Sequence, residues 1–255
     1  MSDWRLLIDP PRNGLENMAT DEAILKSCNQ RLSRPTLRLY EWKEPTLSIG
    51  CFQKADNAIK YCLEAGIPYV RRITGGRAVL HSDEITYSII CGAGEPLFEE
   101  GVSGAYRIIS RCLLTALREV GINADIHTSR DIEYGSEKIS CFHSPSRYEI
   151  MIDNKKLIGS AQRRFKKAFI QHGSILFGVD RDLIAQLFGE ESLSMMAWIK
   201  LYSDIKKDEF KAILIDKIRK GLNINLTVDE INNNEIYLRD KLLSVKESEG
   251  QRVKE

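Results

Sequence analysis

The sequence predicts an α/β (α+β) chain, on three observations. Short runs of branched and aromatic residues punctuated by glycine read as strands, as in Val70 to Ile73 and Ile85 to Ile90. Between them lie segments with apolar residues at helical spacing, of which Val102 to Val120 is the clearest. Beyond Gly178 the pattern shifts to helices. Together these describe strands and helices sharing one chain of 255 residues, long enough to bury a large core.

In order, Leu15 to Leu32 is expected as the first helix, with Met18, Ala23, Ile24, Leu25 and Cys28 on its apolar face and Pro35 stopping it. Thr36 to Trp42 and Thr46 to Phe52 read as a strand pair joined at Lys43-Glu44-Pro45, short enough for a hairpin. Ala55 to Ala65 is a second helix ended by Gly66. The stretch Arg71 to Ser88 follows, packing paired arginines, paired glycines and His81 between strand-like runs. It reads either as an open-backboned, positive pocket wall or as a glycine turn with solvated arginines. After the Gly92 to Pro96 loop comes the helix Val102 to Val120, ended by Gly121. Ala124 to Thr128 is a short strand, and the polar stretch Asp131 to Lys138 a loop or lid.

Tyr148 to Ile152 reads as a strand, and Asp153-Asn154-Lys155 as the turn of a hairpin returning through Lys156 to Gln162. Alternation sets Lys156, Ile158, Ser160 and Gln162 on one face and leaves Gly159 and Ala161 as a bare patch on the other. Phe169 to Phe177 is a further strand. The helical end comprises Asp180 to Phe188, Asp208 to Lys220 and Val228 to Ser244, the last two capped by Asp208 and Thr227. No linker separates it from the rest, so residues 1–255 are expected as one domain with its helical part at about 180–245.

With 37 basic and 36 acidic residues and a net charge of +1, there is no footprint of general nucleic-acid or membrane binding. No apolar run reaches the ~20 residues that span a bilayer, and Met1 to Arg5 has no signal core, so a cytoplasmic protein is expected. The six cysteines form no C-x-x-C pair, which argues against a metal site. Five of them sit in strand or helix patterns. Cys141, in Ser140-Cys141-Phe142-His143-Ser144-Pro145, follows no such period. A thiol with its ordinary pKa of about 8.5 needs a cation nearby to become a nucleophile near neutral pH, and the hairpin could return Lys156 beside the loop that carries Cys141. The alternative is a solvated turn lysine, and as an exposed residue Lys156 is expected to contribute little to stability.

Arg71-Arg72-Ile73-Thr74-Gly75-Gly76-Arg77-Ala78-Val79-Leu80-His81, then Lys156-Leu157-Ile158-Gly159-Ser160-Ala161-Gln162, then Gln171-His172-Gly173-Ser174-Ile175-Leu176 resemble the three signatures of the lipoate and biotin protein ligase superfamily. Ser140-Cys141-Phe142 with Pro145-Ser146 and Tyr148-Glu149 is most similar to the octanoyltransferases of the Gram-positive type. The resemblance implies a mixed β-sheet flanked by helices, like the catalytic core of class II aminoacyl-tRNA synthetases. It also implies transfer of an octanoyl group from acyl carrier protein, through a thioester on Cys141, to a lysine of a lipoyl-carrier protein such as glycine cleavage H protein. By the same resemblance Lys156 lowers the pKa of Cys141, while Arg72, Gly75, Gly76, Arg77, His81, Gly159, Ala161 and Gln162 bind substrate. It gives His143 no role, and His172 reads as a structural or pocket-edge residue. No cofactor, no metal and no ATP are expected, and the protein is expected to be a monomer. An ATP-dependent lipoate ligase would carry a third glycine where Arg77 stands, and an amidotransferase between carrier proteins would lack His81.

Overall fold

A computed structural model describes residues 1–128 and 148–248. Cys141, His143 and the polar stretch from Asp131 to Lys138 lie outside the described residues. The elements in order are β1 (Ser2–Ile8), α1 (Gly14–Asn29), β2 (Thr36–Tyr40), β3 (Thr46–Ile49), α2 (Asp56–Ala65), β4 (Tyr69–Arg71), β5 (Val79–His81), β6 (Glu84–Gly92), α3 (Pro96–Glu99), α4 (Gly101–Glu119) and β7 (Asp125–Ile126). There follow β8 (Ile150–Ile152), β9 (Lys155–Arg164), β10 (Ala168–Leu176), α5 (Arg181–Phe188), α6 (Glu191–Ser194), α7 (Lys207–Leu222), β11 (Ile224–Val228) and α8 (Asn233–Ser248).

Eight strands form a mixed sheet in the order β11-β1-β2-β6-β10-β9-β8-β7, with β1 parallel to both its neighbours and the remaining pairs antiparallel. The expected mixed sheet flanked by helices is present. Alternation along its central strands assigns the two faces. Leu37, Leu39, Ile85, Tyr87, Ile89 and Phe169 pack with α4 and α7, through Ile109, Leu113, Phe210 and Leu214. From the opposite face Ile90 and Ile170 pack with Ile24, Leu25 and Cys28 of α1. Burial pushes the thiols of Cys28, Cys62 and Cys112 up to about 11 and that of Cys91 well above its usual value, so these four are core side chains and poor nucleophiles.

A smaller sheet of three strands, β4-β3-β5, lies apart from the large one. This corrects the expected hairpin between Thr36 to Trp42 and Thr46 to Phe52. Strand β2 is already paired on both edges, by β1 and β6, and β3 instead pairs with β4 and β5. Two strands flanked in this way have no free edge to share with each other.

The hairpin from β8 to β9 follows expectation, and its mechanism is visible: Asp153 and Asn154 both have positive φ, 50° and 62°, as a tight two-residue turn requires. Two expected caps are corrected. Helix α7 begins after Lys206, with Asp208 inside its first turn, and Thr227 belongs to β11. Helix α8 starts later, where Asn232 and Glu235 exchange side-chain to backbone hydrogen bonds at 2.8 and 3.0 Å. The helical end therefore also supplies a strand, β11, which pairs parallel with β1. No helix among the described residues is long and apolar enough to cross a membrane.

Candidate active site

The two sheets and α1 line a pocket that is open to solvent on one side. Its walls come from Met18 of α1, Tyr40 of β2, Trp42 after it, Ser48 of β3, Arg72 after β4, Val79 and His81 of β5 and Thr86 of β6. The backbone-rich side is made by Gly159, Ser160 and Ala161 of β9 with His172, Gly173 and Ser174 of β10. Gly159 and Ala161 form the bare patch anticipated from alternation. Gly173 leaves room in a second way: a Cβ there would sit 2.6 Å from both Ser160 Oγ and Tyr87 Cε1.

Of the residues expected to bind substrate, Arg72, His81, Gly159 and Ala161 line the pocket, whereas Gly75, Gly76, Arg77 and Gln162 do not. The paired glycines and Arg77 act at one remove. Arg72 Nη2 donates to the carbonyls of Gly75 and Arg77, at 2.9 and 2.7 Å, and so fixes the loop that carries them. Gln162 donates to Gln171 Oε1, which places its amide in a polar row with Tyr87 and Ser160.

Arg72 Nη1 also donates to the carbonyl and hydroxyl of Ser48, at 3.1 and 3.0 Å. From Ser48 Oγ a chain of short contacts runs inward: 2.7 Å to His81 Nε2, then 2.9 Å from His81 Nδ1 to Glu84 Oε1. Thr86 and Ser174 donate to the same carboxylate, each at 2.5 Å. Burial drives the Glu84 carboxyl upward, but the charge and hydrogen bond of His81, with those two hydroxyls, outweigh it and hold the group below its usual range. Trp42 stacks on His81 with ring centroids 3.8 Å apart and an interplanar angle of 10°.

A second relay stands opposite. His172 Nδ1 donates to Asp21 Oδ2 at 3.0 Å, and Thr74 Oγ1 lies 2.7 Å from Nε2. Asp21 is anchored by Arg38 at 2.7 Å and by the Tyr40 hydroxyl at 3.0 Å. Burial lowers the pKa of His172 and outweighs the hydrogen bond and charge of Asp21, which raise it, while the Arg72 and His81 charges push weakly the same way as burial. The signs set an acid response. For His172 the folded pKa lies below the unfolded one, so as pH falls through about 6.5 the unfolded chain takes a proton that the folded chain refuses, and stability drops. Asp21 and Glu84, whose folded pKa values are depressed, contribute stability above about 3.8 and 4.5 that is lost as pH falls further. Urea midpoints measured between pH 7.5 and 5 are expected to decline, and His172→Gln to flatten that decline. A midpoint constant over this range would refute the assignment.

Lys156 is placed differently from expectation. It is 1% exposed, and its Nζ donates to Glu149 Oε1 at 2.6 Å in an ion pair whose two side chains are equally shielded from solvent. The solvated turn lysine is thereby corrected. The hairpin turn itself is Asp153-Asn154, and Lys156 lies inward, with its N–H bonded to the Met195 carbonyl and its own carbonyl to Ala197 N–H. Lys156 does not line the pocket described above.

A mixed sheet, three signature segments converging on one pocket and a buried lysine on β9 define the catalytic domain of an acyl-handling enzyme. The chain belongs to the lipoyl protein ligase A/B catalytic domain family, which it matches over residues 13–219. Within that family it stands with the octanoyltransferases and is an acyltransferase. It is 38% identical over 231 residues to octanoyltransferase LipM of Clostridioides difficile, with 87% of this chain and 85% of that one aligned. To octanoyltransferase LipM of Brevibacillus brevis it is 37% identical over 249 residues, covering 95% and 84%. Its fold superposes on lipoate-protein ligase A bound with ATP at a TM-score of 0.82, with 26% identity and 97% and 96% of the two chains covered. Protein Ta0514 of T. acidophilum, solved with bound lipoic acid, gives a TM-score of 0.81 at 26% identity over the whole of both chains.

Sequence reasoning did not find Met18, Tyr40, Trp42, Ser48 and Thr86 as pocket residues. The signal available was local: Thr46-Leu47-Ser48-Ile49 places polar Ser48 between two wholly buried aliphatic residues, where a hydroxyl needs a partner.

Proposed function

We propose that this enzyme takes an octanoyl group from octanoyl-acyl carrier protein onto Cys141 as a thioester, then passes it to a lysine of a lipoyl-domain carrier such as glycine cleavage H protein. The observation that carries the reading is the pocket: a narrow apolar space walled by Trp42, Tyr40, Met18 and Val79, open along the bare backbone of Gly159 and Ala161. Such a lining takes up an alkyl chain without demanding polar partners from it. Burial suppresses Cys28, Cys62, Cys91 and Cys112, which leaves Cys51 and Cys141, and of these the resemblance to the octanoyltransferases assigns the nucleophile to Cys141. Lys156, held by Glu149, supplies the cation that favours the thiolate. No ATP and no metal take part, and Arg77 where a ligase carries glycine accords with that.

Mixing the protein with octanoyl-acyl carrier protein in the absence of ATP is expected to add one octanoyl mass, labile to hydroxylamine. Cys141→Ala is expected to abolish the adduct. An adduct that survives this substitution, or one that requires ATP, would overturn the thioester reading.

A further inference from the structure

Beside the pocket the protein presents an aromatic and cationic surface. Phe52 is 83% exposed, more than any other large hydrophobic side chain among the described residues. The loop that carries it is braced from several sides. Gln53 N–H donates to the Gly50 carbonyl at 3.1 Å, Cys51 N–H to the Thr74 carbonyl at 2.9 Å, and Arg71 Nη1 to the carbonyls of Gly50 and Gln53 at 2.7 and 3.0 Å. A lone exposed ring needs no explanation, but this one is joined to a cation that the fold leaves unneutralised.

That cation is Arg163 of β9. Its guanidinium carbon stands 5.7 Å from the centre of the Phe52 ring and 5.9 Å from that of Phe165, and Nη1 donates to Cys51 Sγ at 3.6 Å. Rings and a thiol are soft partners, and among the described residues Arg163 forms no ion pair. Lys54, Lys166 and Lys167 are exposed and form none either. Arg164 turns instead to the other face of the sheet, over the Phe98 ring. Against these cations the segments 50–56 and 163–167 set a single acid, Asp56. The patch is therefore locally positive on a chain whose net charge is only +1.

Its position links it to the pocket. Alternation along β9 puts Gly159, Ala161 and Arg163 on one face, and the first two line the pocket. Arg163 stands one repeat further on, about 7 Å along the strand. Exposure rises in that direction, from buried Gly159 to half-buried Ala161 and Arg163, and exposed Gly76 lies over Ala161, where an added Cβ would come within 4.0 Å of the Ala161 Cβ. A bare strip thus leads from the pocket floor to a fixed aromatic ring and an arginine, the residue types that anchor protein contacts.

We propose that Phe52 and Arg163, with Lys54 and Lys166 around them, are the docking surface for the protein that delivers the acyl group, which meets them with an acidic face. The proposal rests on the acyl-transfer reading above. The sign of the charge chooses the donor over the acceptor. The donor's acyl arm is joined to its protein through a phosphodiester, an anion that these cations attract, whereas the acceptor offers a lysine whose ammonium they repel.

The test is steady-state loading from octanoyl-acyl carrier protein, followed by transfer to a lipoyl-domain acceptor. Arg163→Glu is expected to raise KM for the donor at least about 10-fold with kcat within about 2-fold, and to weaken inhibition by the unacylated carrier protein by the same factor. KM of the wild type should rise with salt, and that of Arg163→Glu much less. Phe52→Ser removes only an exposed ring, so its melting temperature should stay at the wild-type value while KM for the donor rises at least about 5-fold. If Arg163→Glu does not fold, Phe52→Ser decides the matter. An unchanged donor KM would overturn the proposal. So would a higher KM with unchanged inhibition by unacylated carrier, which would make these residues readers of the acyl chain, or a rise in KM for the acceptor alone. Wild-type enzyme that never loads would instead take down the acyl-transfer reading beneath it.

Discussion

Lys156→Ala is expected to destabilise the fold by about 3–5 kcal/mol, as removal of one member of a buried ion pair does. The cost does not come from losing a strong attraction, because the Coulomb gain of such a pair is largely offset by its desolvation. It comes from what remains. Glu149 would keep its charge in a place where it is 3% exposed as a residue, without the ammonium now 2.6 Å away. For a chain of this size the loss corresponds to a melting temperature lower by roughly 6–20 °C. Glu149→Gln should weaken the fold from the other side, and a double replacement by apolar residues of similar volume, Lys156→Met with Glu149→Leu, should recover much of the loss. Melting curves of wild type and these three variants check this, and a Lys156→Ala curve within about 2 °C of wild type would refute it. The consequence for function is direct. A rate measured on Lys156→Ala reports chemistry only when the fraction folded is measured beside it.

What the sequence discloses about this protein follows the range over which its interactions act. Helix α4 and the hairpin at Asp153-Asn154 depend on residues close together in the chain, and both are legible from periodicity and turn chemistry. The pairing of Thr46–Ile49 is not. Its apolar run and the short Lys43-Glu44-Pro45 connection satisfy every local rule for a hairpin with β2, yet its partners lie at Tyr69–Arg71 and Val79–His81. Strands β1 and β11 escape for a related reason: they pair from opposite ends of the chain, and β11 is a half-exposed edge with weak alternation. The site divides along the same line. Arg72, His81, Gly159 and Ala161 sit in dense motifs and are found, whereas Met18, Tyr40 and Trp42 look like ordinary core until another element comes to rest opposite them. Burial of Lys156 is the instructive failure. Its side chain is shielded by packing around β9 that local sequence does not reveal, and turn-proximal lysines are solvated as a rule.

Gly50→Ala is expected to be more damaging than substitution of either glycine in the signature loop. The added Cβ would lie 2.1 Å from the Gly76 carbonyl oxygen and 3.1 Å from Gly75 C, so it meets main chain, which cannot rotate away as a side chain can. The two loops are otherwise bound together: Cys51 N–H donates to the Thr74 carbonyl at 2.9 Å, and Arg71 Nη1 donates to the Gly50 carbonyl at 2.7 Å. Displacing residues 74–77 pulls on the Gly75 and Arg77 carbonyls that Arg72 holds, and through Arg72 on Ser48 at the pocket wall. A cost of about 3 kcal/mol follows from overpacking at such a contact, with a loss of acyl loading beyond what the melting temperature accounts for. At Gly76 the penalty is of another kind, since φ is +90° and a Cβ would stand 3.0 Å from Arg72 Nη2, the end of a side chain able to give. A Cβ on Gly75 would meet nothing within 4 Å, so Gly75→Ala is expected to lie within about 1 kcal/mol of wild type. The expected order of damage is therefore Gly50, then Gly76, then Gly75, although Gly75 and Gly76 stand in the signature and Gly50 outside it. Thermal melts of the three alanine variants check the order, and Gly75→Ala as harmful as Gly50→Ala would refute it.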